Sequence, residues 1–295
     1  MKRDRRAIFY LSVFLMIFSA LAFSQAPKKL RVFISVDMEG ISGLISNEET
    51  GKSGQDYNLF RQIMTEEANA AIEGVLTAGA TEIVVRDAHG SALNILPNLL
   101  NPEAKLIREW SNGPLDMMEG IDRTFDAAIF IGYHAKAGTP DSILKHTISG
   151  TIFDLKLNGR AVPEAGLNAA IAGYFGVPVV LVTGDLAATR QAKEILGEVS
   201  TVAVKEGIGK AGKMLHPEKA RKLIKEAATD ALKNLGKYKP FQLTSPVTME
   251  ITFTREDLAA KASWIPGAKR TGDRSVAFTN NDFMEVMKFY LFAAE

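Results

Sequence analysis

The stretch FISVDMEG, Phe33 to Gly40, decides how the rest of the chain is read. Val32, Phe33, Ile34 and Val36 form the short apolar run of a buried strand. Asp37 and Glu39 follow on alternate positions, and side chains two apart on an extended chain share a face. Two carboxylates would then occupy one small volume at the rim of an apolar core. Like charges placed so close raise each other's pKa unless a cation neutralises them.

Outward from that strand the chain alternates between strand and helix patterns. The run from Asp56 to Ala80 carries Phe60, Ile63, Met64, Ala68, Ile72 and Val75 at helical spacing, with Gly79 as a C-terminal stop. Strands follow at TEIVVRDAH (Thr81–His89) and FDAAIFIGYHA (Phe125–Ala135). TIFDLKLNGRAV, Thr151 to Val162, places Asn158-Gly159 between extended runs and predicts a hairpin. A helix from Glu164 to Phe175, the strand VPVVLVTGD (Val177–Asp185), a helix from Leu186 to Leu196, the strand TVAV (Thr201–Val204) and a helix from Pro217 to Leu235 complete the series. Such alternation predicts an α/β fold with a largely parallel central sheet flanked by helices. Beyond Lys239 the pattern changes to VTMEITFT, a helix, RSVAFTN and a last helix, a smaller α+β part. The expected organisation is a signal peptide at 1–24, a linker at 25–30, an α/β metal-binding catalytic domain at 31–239 and a C-terminal α+β subdomain at 240–295.

The first 24 residues pair a basic start, MKRDRR, with an apolar run and the small residues of Ala22-Phe23-Ser24. This is the pattern of a cleaved secretory signal, an uncleaved membrane anchor being the alternative. Removal takes four positives and one negative, so the mature net charge falls from +1 to −2. The expected location is periplasmic or extracellular, with no membrane span left after cleavage. A near-neutral chain gives no reason to expect a nucleic-acid partner. The chain has no cysteine, which excludes thiol catalysis, disulfides and cysteine-ligated zinc. A metal here would need His, Asp or Glu.

Those residues gather where open α/β sheets bind ligands, at the carboxyl ends of the strands. The strand ends hold Asp37 and Glu39, Asp87 and His89, His134, and Asp185. Of four histidines, two fall at strand ends. Singly, each has an ordinary reading as a loop acid or a hydrogen-bonded structural histidine. Together they point to a shared metal site, nitrogen ligands favouring zinc over magnesium or calcium. Two metals sharing one carboxylate would best explain Asp37 and Glu39. Glu164 stands at a helix start, where an acid also suits the macrodipole. His146, in the polar loop TPDSILKHTISG, could return to the site as a base or nucleophile. His216, before Pro217 at a helix start, reads as structural or surface.

GIGKAGKM, Gly207 to Met214, imitates a nucleotide-binding glycine loop. Met214 stands where a magnesium-binding Ser or Thr belongs, and Pro217 interrupts the helix that should follow the glycines. The expectation is a flexible glycine-rich loop without nucleotide. The chain also lacks H-E-x-x-H and G-x-S-x-G.

The ordered set SVDMEGISGL, IMTEEANAAIEG, VRDAHG, IGYHAKAGTP, KHTISG, VPEAGLNAAIAGYFGVPVVLVTGD and WIPGAKRTGDRSVAF resembles the D-aminopeptidase family, the M55 metallopeptidases. The likeness covers nearly all of the expected mature chain. It implies a zinc aminopeptidase with two ions per subunit that removes N-terminal D-residues, of the D-Ala type, from short peptides. On matching positions, Asp37 would bridge the ions, with Glu39, His89, His134 and Glu164 completing their coordination. His146 matches the family's catalytic histidine, either nucleophile or general base. The resemblance further implies a ring-like homo-oligomer. Lys145 departs from the family, which usually has a small residue before that histidine. Another metal-dependent amidase or esterase on the same scaffold, or a non-catalytic metal- or peptide-binding protein, are the alternative readings.

Overall fold

The computed structural model describes residues 29–294. The expected signal segment, with most of the linker, lies outside the described residues. Among them no helix is long and apolar enough to cross a membrane.

The central sheet has seven strands in the order β3-β2-β1-β4-β7-β8-β9. β1 (Arg31–Val36) runs parallel to β2 (Glu82–Asp87) on one side and β4 (Ala127–Tyr133) on the other. β3 (Ala104–Ile107) flanks β2, and β7 (Val179–Asp185) and β8 (Ser200–Ile208) continue the parallel run beyond β4. β9 (Ala211–Met214) closes that edge antiparallel. The alternation of β1 is read out on two cores. Val32, Ile34 and Val36 face helices α1 (Tyr57–Thr77) and α4 (Pro217–Lys233), which pack together through Gly74 and Ala228. Phe33 faces the other core, with Phe130, Val182 and residues of α2 (Glu164–Tyr174). The amphipathic helix α3 (Leu186–Leu196) follows β7 directly, capped by Asp185.

A second, antiparallel sheet has the order β11-β12-β10-β5-β6. The predicted hairpin is β5 (Ile152–Leu157) and β6 (Arg160–Ala161), turned by Asn158 and Gly159, both at positive φ. β5 pairs with β10 (Val247–Phe253), which continues to β12 (Ser275–Asn280) and β11 (Lys269–Gly272). The mid-chain hairpin and the C-terminal strands therefore share one sheet. The helices α5 (Glu256–Ala262) and α6 (Phe283–Ala294) complete this part, and Val286, Phe289 and Tyr290 of α6 enter the same core as Phe33.

The glycine stretch Gly207–Met214 is not a loop: it is the tight β8–β9 hairpin. Gly209, at positive φ, makes the turn, while Gly207 serves packing, since a Cβ on it would lie 2.4 Å from the Asp141 carbonyl oxygen. The short edge strands β3, β9 and β11 escaped the sequence reading because four residues carry too little periodicity.

Candidate metal centre

The site is built at the carboxyl ends of β1, β2 and β4, with α2 entering from beyond. β1 stops at Val36, and the Asp37 amide donates to Ile131 O of the neighbouring strand at 2.8 Å. A turn follows, Ile41 N to Met38 O, while Gly40 N donates to Gly132 O at 2.7 Å. Asp37 and Glu39 thus share a volume as expected, but through a turn instead of continued extension. Gly40 permits it, because a Cβ there would stand 2.1 Å from the Tyr133 carbonyl oxygen.

Six side chains converge. His89 Nδ1 lies 2.9 Å from Glu39 Oε2 and 3.3 Å from Asp37 Oδ1. His134 Nε2 lies 3.5 Å from Asp37 Oδ2 and 3.2 Å from Glu164 Oε2. His146 Nε2 lies 3.6 Å from Glu164 Oε1. Two groups of potential ligands result, Asp37 with Glu39 and His89, and His134 with His146 and Glu164. Asp37 offers one oxygen to each group. All of these side chains are at most 10% exposed except His146, at 31%, which alone opens substantially to solvent.

Each of the three histidines is held by a backbone carbonyl on its outer nitrogen. His89 Nε2 meets Thr50 O at 3.1 Å, His134 Nδ1 meets Ala135 O at 3.0 Å, and His146 Nδ1 meets Leu144 O at 2.9 Å. A carbonyl can only accept, so the outer nitrogen carries a proton whatever the charge of the ring, and the inner nitrogen is the one left to face a metal. That is how metal-binding imidazoles are oriented. His134 Nε2 and Asp37 Oδ2 are buried without a hydrogen-bond partner. Two orphaned ligand-type atoms facing each other fit a cation between them.

The electrostatics agree. Burial, reinforced by Glu39, pushes Asp37 up to about 8. Burial opposes the charge on His134, yet Glu164 and Asp37 carry it up to about 10. Burial would also raise Glu39, but His89 holds it well below the usual range. The protein alone therefore neutralises the acids with protons, the role a divalent cation takes over when it binds.

Strand-end acids outside the two groups steady the loops that bring in the histidines. Asp87 accepts from Asn94 N and Nδ2 and Ile95 N, and Asn94 Nδ2 donates to His89 O. Asp185 accepts from Ser142 Oγ at 2.5 Å and Ile143 N at 3.0 Å, anchoring the loop of His146. His216 caps α4 and stands apart from the site. Sequence reading missed Lys205, within β8 and paired with Asp185 at the end of β7. It is buried and donates from Nζ to Glu39 O at 2.5 Å and Leu44 O at 2.7 Å, tying down the Asp37–Leu44 segment. The signal was a lysine closing an apolar strand. Arg86, Trp110, Asp116 and Tyr290 were also missed. Trp110, Asp116 and Tyr290 line a cavity of about 210 Å³ over Asp37, Glu39, His89, His146 and Glu164. Arg86 lies 4.5 Å over the Trp110 ring, and Trp110 Nε1 donates to Gly90 O.

The family model described as peptidase M55, D-aminopeptidase, matches residues 30–292. The chain belongs to the M55 family. It is 38% identical over 268 residues to the D-aminopeptidase of Bacillus subtilis (strain 168), covering 90% of this chain and 97% of that one. Among solved structures it resembles the Zn-dependent D-aminopeptidase DppA from Bacillus subtilis, a self-compartmentalizing protease, with a TM-score of 0.87 and 38% identity. That match covers 90% of this chain and 97% of the other. The M55 fold thus accounts for the α/β architecture, and of the motifs that carried the resemblance SVDMEGISGL, VRDAHG, KHTISG and the stretch beginning VPEAG supply residues to the cavity just described.

Proposed function

We propose that this chain is an exported binuclear zinc aminopeptidase that removes N-terminal D-residues, of the D-Ala type, from short peptides or amides. The observation that carries the reading is Asp37, which directs one carboxylate oxygen to each of two His–carboxylate groups. Family membership and the Zn-dependent relative support the same chemistry.

Asp37, Glu39 and His89 would hold one ion, and Asp37, His134 and Glu164 the other. Zinc bound there supplies Lewis acidity toward the scissile carbonyl and lowers the pKa of a coordinated water. The chain's part is to position and to move a proton. His146 keeps its proton on Nδ1, against Leu144 O, and presents Nε2 toward the cavity beside Glu164. The same lone pair serves a general base, taking the proton of the attacking water, or a nucleophile. Protonated His146 then has Glu164 as counterion and can return the proton to the leaving amine.

Export rests on the signal-like residues 1–24, and cell-wall peptides rich in D-alanine would be the substrates met there. A ring-like homo-oligomer is supported by the self-compartmentalizing relative.

Metal analysis of the purified mature protein, alongside hydrolysis of D-Ala and L-Ala amides, tests the reading. The expectation is two zinc ions per chain and cleavage of the D-substrate. Equal hydrolysis of both enantiomers favours a general amidase, and absence of metal-dependent turnover favours a binding protein.

A further inference from the structure

We propose that Asp116 receives the α-ammonium of the substrate's N-terminal residue, an assignment that rests on the aminopeptidase reading above. Four carboxylates line the cavity: Asp37, Glu39, Glu164 and Asp116. The first three each face a histidine at 3.6 Å or less. Asp116 faces none. Its Oδ2 accepts the Tyr290 hydroxyl at 2.7 Å, and no hydrogen bond from the described residues reaches its Oδ1. An ionised carboxylate has about four lone-pair sites, so most of its accepting capacity stays open to the cavity.

The residue is also placed at a cost. Asp116 has φ +48°, a left-handed conformation that a side chain rarely adopts, in the short turn before Met117 and Met118. Burial raises its pKa, and Glu164 and Glu119 add to that. An incoming ammonium would offset both the burial and the repulsion. Tyr290, fully buried on α6, orients the carboxylate from a helix 174 residues away in sequence.

The cavity thereby gains three fixed points. A metal held by Asp37, Glu39, His89, His134 and Glu164 would polarise the scissile carbonyl, Asp116 takes the ammonium, and Trp110, Met117 and Ile148 offer an apolar wall to the side chain. Three points are the least that distinguish mirror images. Asp116 therefore makes the site prefer a free N-terminus and contributes to the choice between enantiomers. An acylated or internal residue has no ammonium and leaves the open oxygen of this half-buried acid without a charged partner.

Calorimetry on the zinc-loaded full-length protein tests this with two probes, D-alanine hydroxamate and propanohydroxamate. They share a metal-binding head and differ by the ammonium. Wild type should prefer the first by about 10- to 100-fold, the usual worth of one hydrogen bond to a charged group. Asp116→Asn, which tolerates left-handed backbone, should abolish the preference and leave propanohydroxamate affinity unchanged. Tyr290→Phe breaks the tie to α6 but keeps the carboxylate, so it should retain most of the preference. An Asp116→Asn protein that keeps the preference overturns the assignment. One that loses affinity for both probes equally assigns Asp116 a purely structural role. If neither probe binds wild type, the metallopeptidase reading itself falls and takes this inference with it.

Discussion

His134 and His146 lie face to face, with ring centroids 4.0 Å apart and planes 16° from parallel, and both Nε2 atoms converge on Glu164. The carboxylate is bracketed, with Oε2 turned to His134 and Oε1 to His146. His134 is sealed in the core, while His146 faces the cavity. The pair therefore divides its labour by exposure.

Replacing His146 separates binding from turnover. His146→Ala should keep its zinc and lose about 10²- to 10⁴-fold in kcat, the usual contribution of a positioned acid–base group. Metal analysis and steady-state kinetics on the same preparation check it. A drop to one zinc would instead make His146 a ligand, as its place in the His134–Glu164 group allows.

Asp37 is the shared element, so its loss should be felt twice. Asp37→Asn is expected to release both ions on dialysis, whereas Glu39→Gln should release one. Atomic absorption on the two variants, side by side, gives the stoichiometry.

Lys205→Met leaves the carbonyls of Glu39 and Leu44 without their buried donor. The expected cost is about 1–3 kcal/mol of stability. Zinc affinity should fall about 10- to 100-fold, as for other residues that orient ligands. Urea unfolding of the zinc-free protein and competitive zinc titration measure the two effects independently.

Glu67 lies under the same loop, accepting from Ser42 N at 2.8 Å and Ser42 Oγ at 2.6 Å. Burial raises its pKa above the ordinary 4.5. The folded chain then holds a proton that the unfolded chain has released, so this group withdraws stability as pH climbs above 4.5. Glu67→Gln keeps the acceptor and removes the titration. Melting temperatures across acidic to neutral pH should decline less in the variant than in wild type.

Gly40→Ala tests the turn that brings Asp37 and Glu39 together. Its Cβ would press against the carbonyl oxygens of Tyr133 and Gly132, which are backbone and cannot rotate away. A loss of about 3 kcal/mol is expected, the upper end for overpacking. Thermal unfolding against Gly236→Ala, where added volume meets nothing, separates steric clash from the general effect of losing a glycine.

Strands β1, β2, β4 and β7 were legible because each is a short, continuous apolar run, and α1 because its apolar residues repeat at helical spacing. That Asp37, Glu39, His89 and His134 would gather was legible as well, since topology delivers parallel strand ends to one rim. Glu164 on a helix start and His146 in a loop were singled out through the family resemblance. Asp116 and Tyr290 were not. They meet only because α6 packs against the turn at Asp116, and no local pattern encodes a contact across 174 residues. The role of Lys205 was not legible for the same reason: its acceptors are two carbonyls of a distant turn, and backbone groups carry no residue identity.

The sequence by itself determined the alternation of strand and helix, the absence of cysteine chemistry, and which acids and histidines could gather at the sheet's rim. Periodicity and residue type are local properties and survive translation into one dimension. Tertiary structure alone decided that Asp37 splits its two oxygens between two groups and that Asp87 and Asp185 brace loops. It also decided that the Gly207–Met214 stretch is a hairpin, and that β5 joins strands from the far end of the chain. Those outcomes depend on which surfaces meet when the two cores close, and on carbonyls and amides that every residue shares.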